Sequence, residues 1–333
     1  MRLGLPQATL LMPENQVHPA LLKLSNAVGF EPPQGADPYT TLKAFNDFSQ
    51  THFILDQPGT QKLQEDFALG GRFADRESEI TAVLKQLGLV GSLSPTEKSY
   101  DQTLVLGATF EVMNASRFAF LEKKVWDQEI EMGDVYPLTS ERPLYTDPTS
   151  RHTRTHERQD VDLFCQKLKI DPQTIQTEED AAQLSIWGLP KALQNRIKSP
   201  SELVVGKRSD GSRANTQDTI ERWISHEGVP ILRGKKILVI TDNPFISRQR
   251  EDFWNVLKKH GLSETEITIE CVGYDLGDVL RPSGKNGVPD ATFKQVALFR
   301  RLDNLARWIY TWLQGHPPAQ QNLSSLSSDR SGD

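Results

Sequence analysis

Apolar residues in the first hundred positions recur at intervals of three and four, the repeat of helices with one buried face. "DRESEITAVLKQLGLVG" (75–91) puts Ile80, Val83, Leu84 and Leu87 on that repeat and stops at Gly88. "DPYTTLKAFNDFSQ" (37–50) opens with Asp37 as a cap and Pro38 at the first helical position. Pro58-Gly59 and Gly70-Gly71 read as turns, and "SLSPTEKSY" (92–100) as a linker or short capped turn. Residues 1–100 therefore predict a helical region without strands.

From residue 101 the pattern changes. Short β-rich runs appear at 101–108, 133–141, 201–207, 235–242 and 265–274. Between and after them lie helical stretches at about 109–128, 156–169, 178–197, 215–227, 246–261 and 292–314. Strands alternating with helices predict an α/β fold with a Rossmann-like parallel sheet of about five strands, covered on both faces. The run "KKILVITD" (235–242) is apolar without alternation, as a strand buried on both sides should be. The predicted organisation is a helical region (1–100), an α/β domain (101–315) and a Pro-, Gln- and Ser-rich tail (316–333) expected to be disordered.

Composition narrows the function classes. Hydrophobic content of 37% and charged content of 25% suit a globular, water-soluble chain. A net charge of −6 without a basic stripe argues against a nucleic-acid binder. No apolar run approaches a membrane span, and "MRLGLPQATLLMPENQ" makes a poor signal peptide. The two cysteines, Cys165 and Cys271, lack metal or redox spacing and read as reduced thiols. The expected location is cytoplasmic, with no membrane partner.

In an open parallel sheet, ligands bind beyond the carboxyl ends of the strands, where helix N-termini attract anions. The polar residues after each strand are the candidates. After the first come Gly107, Ala108 and Thr109. Glycine there would let a ligand approach, or simply serve a tight turn. After the second come Thr139, Ser140, Glu141 and Arg142. Beyond the third, Asn215 or Thr216 would cap the helix carrying Thr219, Ile220 and Trp223, or face a ligand. After the fourth, Thr241, Asp242, Asn243 and Pro244 turn the chain into a helix with Arg248 on its first turn, within reach of an anion held at the helix end.

This order of short signatures resembles the YdcF/SanA/ElyC-like family, a bacterial group with a Rossmann-like fold. Leu106-Gly107 matches the family's first element. Thr139-Ser140 stands at the second without its glycines. "TEEDAAQL" (177–184) carries the third, with Glu178 or Glu179 ahead of Ala181. Asn215-Thr216 matches the fourth. Val239-Ile240-Thr241 and Arg248 match the fifth, with Phe245 where the family has a histidine. The likeness covers about 101–314 and is nearest the soluble YdcF branch. It implies a strand-end pocket for a nucleotide-like ligand such as S-adenosylmethionine, lined by Gly107, Ala108, Ser140, Glu179, Asn215, Thr216, Thr241, Asp242 and Arg248. Glu179 would accept a hydrogen bond, or serve as general base if a reaction occurs. Two rivals stand beside this reading. One is an enzyme acting on phosphoesters in the same pocket. The other is a non-catalytic protein binding a partner through residues 1–100.

Other constellations point elsewhere. His152 and His156 in "SRHTRTHERQD" (150–160) stand four apart, but no third ligand follows, so no metal is expected. Arg151, Arg154 and Arg158 would form an anion-binding rim, a lid or a solvated helix start. Cys165 shares a core-facing spacing with Val161, Phe164 and Leu168, which reads as packing. The last helix lines up Val296, Phe299, Leu302, Leu305, Ile309 and Trp312, a stripe expected to pack on the sheet, with its aromatic end available to a dimer.

Overall fold

The computed structural model describes residues 11–54, 73–108, 111–143, 162, 164–211, 214–275 and 290–317, with backbone only at 111–112, 290–297 and 299. The Pro58-Gly59 and Gly70-Gly71 turns, Thr109, the 150–160 segment, Val161, the side chains of Val296 and Phe299, and the chain beyond 317 lie outside the described residues.

Three helices come first: α1 (Pro19–Val28), α2 (Pro38–His52) and α3 (Glu77–Gln86). Asp37 caps α2 as its sequence predicts, Oδ1 accepting from the amides of Tyr39 at 2.9 Å and Thr40 at 3.0 Å. Four strands follow: β1 (Gln102–Leu106), β2 (Asp134–Leu138), β3 (Lys236–Asn243) and β4 (Thr268–Asp275). All pairings are parallel, in the order β2-β1-β3-β4. Helices α4 (Glu111–Phe120, continuing as a wider-wound π segment Leu121–Trp126), α5 (Glu178–Trp187), α6 (Thr216–Glu227), α7 (Ile246–Lys259) and α8 (Asp290–Gly315) complete the chain.

Alternation along the strands divides the sheet's side chains between two cores. Val105, Val135, Leu238, Ile240 and Val272 join Phe118, Phe120 and Leu121 of the α4 segment and Ala182 and Ile186 of α5 on one face. Leu104, Leu106, Leu138, Ile237, Val239, Ile269 and Cys271 join Trp223 of α6 and Phe253 of α7 on the other. Both faces are covered, which is why 237–240 of β3 reads as an unbroken apolar run.

Four strands rather than about five are found, because 201–207 does not join the ladder. Pro200–Glu202 forms a 3₁₀ turn, and only isolated bridges, Val135 with Ile197 and Ser140 with Val205, tie this stretch to β2. From 197 to 205 is eight steps and from 135 to 140 five, so three residues must loop out. Likewise the helix expected over 178–197 breaks after Trp187, since Pro190 lacks an amide hydrogen and only a short turn, Lys191–Gln194, resumes.

The first hundred residues are stitched to the rest. Leu302, Leu305, Ala306, Trp308 and Ile309 of α8 share one core with α1, α2 and α3. The stripe expected to pack on the sheet thus packs on the N-terminal helices instead. The 92–100 stretch runs antiparallel down the outer edge of β4. Leu93 pairs with Gly273, and both the amide and the hydroxyl of Thr96 donate to Glu270. Tyr100 also donates its hydroxyl to Glu270 before the chain enters β1. Cys165 and Cys271 are both buried, as their packing roles require, and burial pushes the Cys271 thiol up to about 12. Among the described residues no helix is long and apolar enough to cross a membrane.

Candidate functional site

β1 and β3 are neighbours, but the chain leaves β1 for β2 on one side and β3 for β4 on the other. Crevices at such a reversal, beyond the carboxyl strand ends, are where open α/β sheets hold ligands. Here α4 folds back over the end of β1 and fills the floor with polar side chains. Asn114 brackets Ala108, accepting from its amide at 3.0 Å and donating to its carbonyl at 2.7 Å. Arg117 Nη1 donates to the carbonyls of Leu106 and Gly107, each at 2.6 Å. Its Nε donates to Asp242 Oδ2 at 2.6 Å, and Ser116 donates to Asp242 Oδ1 at 3.0 Å. Burial pushes the Asp242 carboxyl up, and the charge of Arg117 with the hydrogen bonds from Arg117 and Ser116 oppose that push.

The β2 side contributes a second buried carboxyl. Thr177 and Asp180 form a reciprocal capping box that starts α5 at Glu178. Ser140 donates to Glu178 Oε2 at 3.0 Å, and the Glu178 amide donates to the Arg142 carbonyl at 2.9 Å. The carboxyl lies so close to Gly107 that a Cβ there would run into it. Burial raises the Glu178 pKa, against the hydrogen bond from Ser140 and the charges of Arg142 and Arg117. Glu179 stands one position along, half-buried, with Asp180 and Glu141 as its charged neighbours; burial and then those charges raise its pKa. The carboxyl that meets Gly107 and Ser140 is therefore that of Glu178.

Asn215 and Thr216 begin α6, whose Gln217 donates to Asp252 of α7 at 3.0 Å and whose Trp223 donates from Nε1 to Gln102 at the start of β1. Their polar groups are used locally. Asn215 Oδ1 accepts from the Asp218 amide at 3.1 Å, Asp218 accepts from the Asn215 amide at 2.7 Å, and the Thr216 carbonyl accepts from the Thr219 hydroxyl. This is the capping role left open by the sequence. Thr241 is fully buried, its hydroxyl donating to Gln249 Oε1. So Gly107, Ala108, Ser140, Thr241 and Asp242 lie at the carboxyl ends of the strands, their polar groups taken up by Arg117, Asn114, Glu178, Gln249 and Ser116, while Asn215 is used in its own helix cap.

The β3 end differs. Asn243 donates through Nδ2 to the carbonyls of Gly88 and Gly91, and its Oδ1 has no partner among the described residues. After Pro244, α7 begins with no side-chain cap. Arg248 lies on the first turn, its guanidinium 5.8 Å from the Phe245 ring centroid and its Nε 3.9 Å from Asp252 Oδ2. Burial lowers the Arg248 pKa, with Arg307 and Arg117 adding to the effect and Asp252 and Asp303 opposing it.

Sequence reasoning missed Asn114, Ser116 and Arg117, and it put the acceptor role on Glu179 where Glu178 stood as the alternative. Arg117 precedes the buried Phe120 and Leu121 by three and four, so its charge falls on an apolar stripe, the signal of a buried partner. Glu178 precedes Ala181 and Ala182 by three and four and Ser185 by seven, the buried stripe of α5. Among the described residues no group of three or more His, Cys, Asp or Glu is placed to hold a metal ion. No protein-family model, curated protein or solved structure matches this chain.

Proposed function

We propose that this protein binds a nucleotide-like small molecule in the crevice beyond the carboxyl ends of β1 and β3. The observation that carries the reading is the reversal of strand order at β1 and β3, floored by two buried, internally bonded pairs, Arg117 with Asp242 and Ser140 with Glu178. Side chains already fixed beneath the strand ends hold the residues above them without reordering when a ligand arrives. Glu178 would take the acceptor role first expected of Glu179, receiving a ribose hydroxyl. The short signatures shared with the YdcF/SanA/ElyC-like family support the same reading, with S-adenosylmethionine and simple nucleotides as the candidate ligands.

Calorimetric titration of the full chain with adenosine, adenosine monophosphate and S-adenosylmethionine tests it. Binding of at least one, weakened about tenfold or more in Glu178→Gln through loss of a charge-assisted hydrogen bond, is the expected result. No heat and no thermal shift with any of the three defeats the reading.

A further inference from the structure

The β3 side of the crevice carries polar groups that the fold itself does not use. Helix α7 has fourteen residues and no side-chain cap. Its first amide bonded to the preceding turn is that of Gln249, which donates to the Phe245 carbonyl at 2.9 Å. The amides of Ile246, Ser247 and Arg248 therefore end the helix without a carbonyl or side-chain partner among the described residues. Open amides at a helix start carry partial positive charge.

Independent of the helix end, Ser247 is 3% exposed and its hydroxyl has no hydrogen-bond partner among the described residues. Arg248 Nε is equally unpartnered, Asp252 at 3.9 Å lying beyond hydrogen-bond reach. The Asp252 carboxyl instead accepts from Gln217 at 3.0 Å. Nine buried side-chain atoms lack a partner among the described residues, and these two share the turn that carries the open amides, which makes that turn a place where one added acceptor would meet several donors. Arg307 and Arg117 also set their charge against that of Arg248. Arg117 and Arg307 are matched, by Asp242 at 2.6 Å and Asp303 at 3.1 Å. Arg248 is the one whose counter-charge stands off.

We propose that the first turn of α7 is a phosphoryl subsite. In it the Ser247 hydroxyl, the Arg248 guanidinium and the open amides hold the phosphate of a phosphorylated ligand. Asn243 Oδ1, an acceptor, is left for a hydroxyl of the same ligand. The assignment rests on the crevice reading above and narrows it. The ligand is a nucleoside phosphate, and the cationic sulfonium of S-adenosylmethionine is disfavoured beside the arginines.

The test compares inorganic phosphate, adenosine and adenosine monophosphate on the full chain, by calorimetry and by amide nuclear magnetic resonance shifts. Phosphate is expected to move the amide signals of Ile246, Ser247 and Arg248. Adenosine monophosphate should bind about tenfold or more tighter than adenosine. In Arg248→Gln that ratio should collapse toward one, and Ser247→Ala, a smaller change in a buried position, should reduce it in a protein of near-native melting temperature. Equal affinity for adenosine and adenosine monophosphate in the native protein, or an unchanged ratio in both variants, overturns the subsite. Adenosine bound in a Glu178-dependent way with phosphate silent leaves the crevice reading standing and removes the subsite. Phosphate bound through Arg248 with no gain from adenosine does the reverse.

Discussion

Arg117 Nε sits 2.6 Å from Asp242 Oδ2, with the arginine side chain 1% exposed and the aspartate 0%. The pair joins α4 to β3 across the end of β1, and Arg117 at the same time holds two β1 carbonyls. Breaking such a pair leaves one charge buried alone. Arg117→Met is expected to destabilise the protein by about 3–5 kcal/mol, whereas Arg117→Met combined with Asp242→Leu should recover part of that loss. Urea unfolding of the two variants measures both; a single-site loss under about 1 kcal/mol would mean the pair is not isolated from water.

Gly107 is required by its neighbour. A methyl group there meets the Glu178 carboxyl, so Gly107→Ala should cost about 1–3 kcal/mol from overpacking. Shortening the partner in Gly107→Ala with Glu178→Ala should restore much of it. The coupling energy from the four-species cycle is the readout, and additive effects would show that the contact is relieved some other way.

Asn215 distinguishes a capping residue from a ligand contact. Asn215→Ala is expected to lower stability by about 1 kcal/mol through loss of the α6 cap. Affinity for whatever ligand the crevice takes should change less than twofold, within the scatter of surface substitutions. A large affinity loss at unchanged stability would return Asn215 to the binding surface.

Glu251 on α7 supplies a pH dependence. Burial pushes its carboxyl to about 7, with Arg250 and Lys258 opposing and Glu264 adding to the rise. In the unfolded chain it titrates near 4.5. The folded state therefore holds the proton more tightly. This group does not weaken folding below pH 4.5, and stability falls as pH rises through the window up to about 7. The fall attributable to it is about 3 kcal/mol. Glu251→Gln should remove it, so the variant gains on the native protein at pH 8 relative to pH 4.5. Parallel stability–pH curves for the two proteins would contradict the assignment.

The strands 102–106, 134–138, 236–243 and 268–275 were legible because each is a short run rich in β-branched and apolar residues, set between helical stretches. The stretch 201–207 has the same β-branched texture, but its register against β2 is interrupted by the Pro200 turn, a fact of spacing between two distant segments that no local pattern contains. Gly107, Ala108 and Ser140 were placed at strand ends in the same way, because each follows a strand directly. The choice between Glu178 and Glu179 was not visible one residue at a time. It depends on helix phase, which the Thr177–Asp180 box sets and the Ala181, Ala182, Ser185 stripe reports. Arg117 escaped because its partner lies 125 positions away, and separations of that order carry no periodic signal.

The sharing of α8 between the N-terminal helices and the α/β layers has a practical corollary. A protein truncated to begin at residue 101 would bare Leu302, Leu305 and Ile309 to water and strip Asn243 and Asp275 of their bonds to Gly88 and Gly91. Such a fragment should aggregate rather than report on binding. Any role of the first hundred residues in recognition is better sought with point changes on their exposed faces than by cutting the chain.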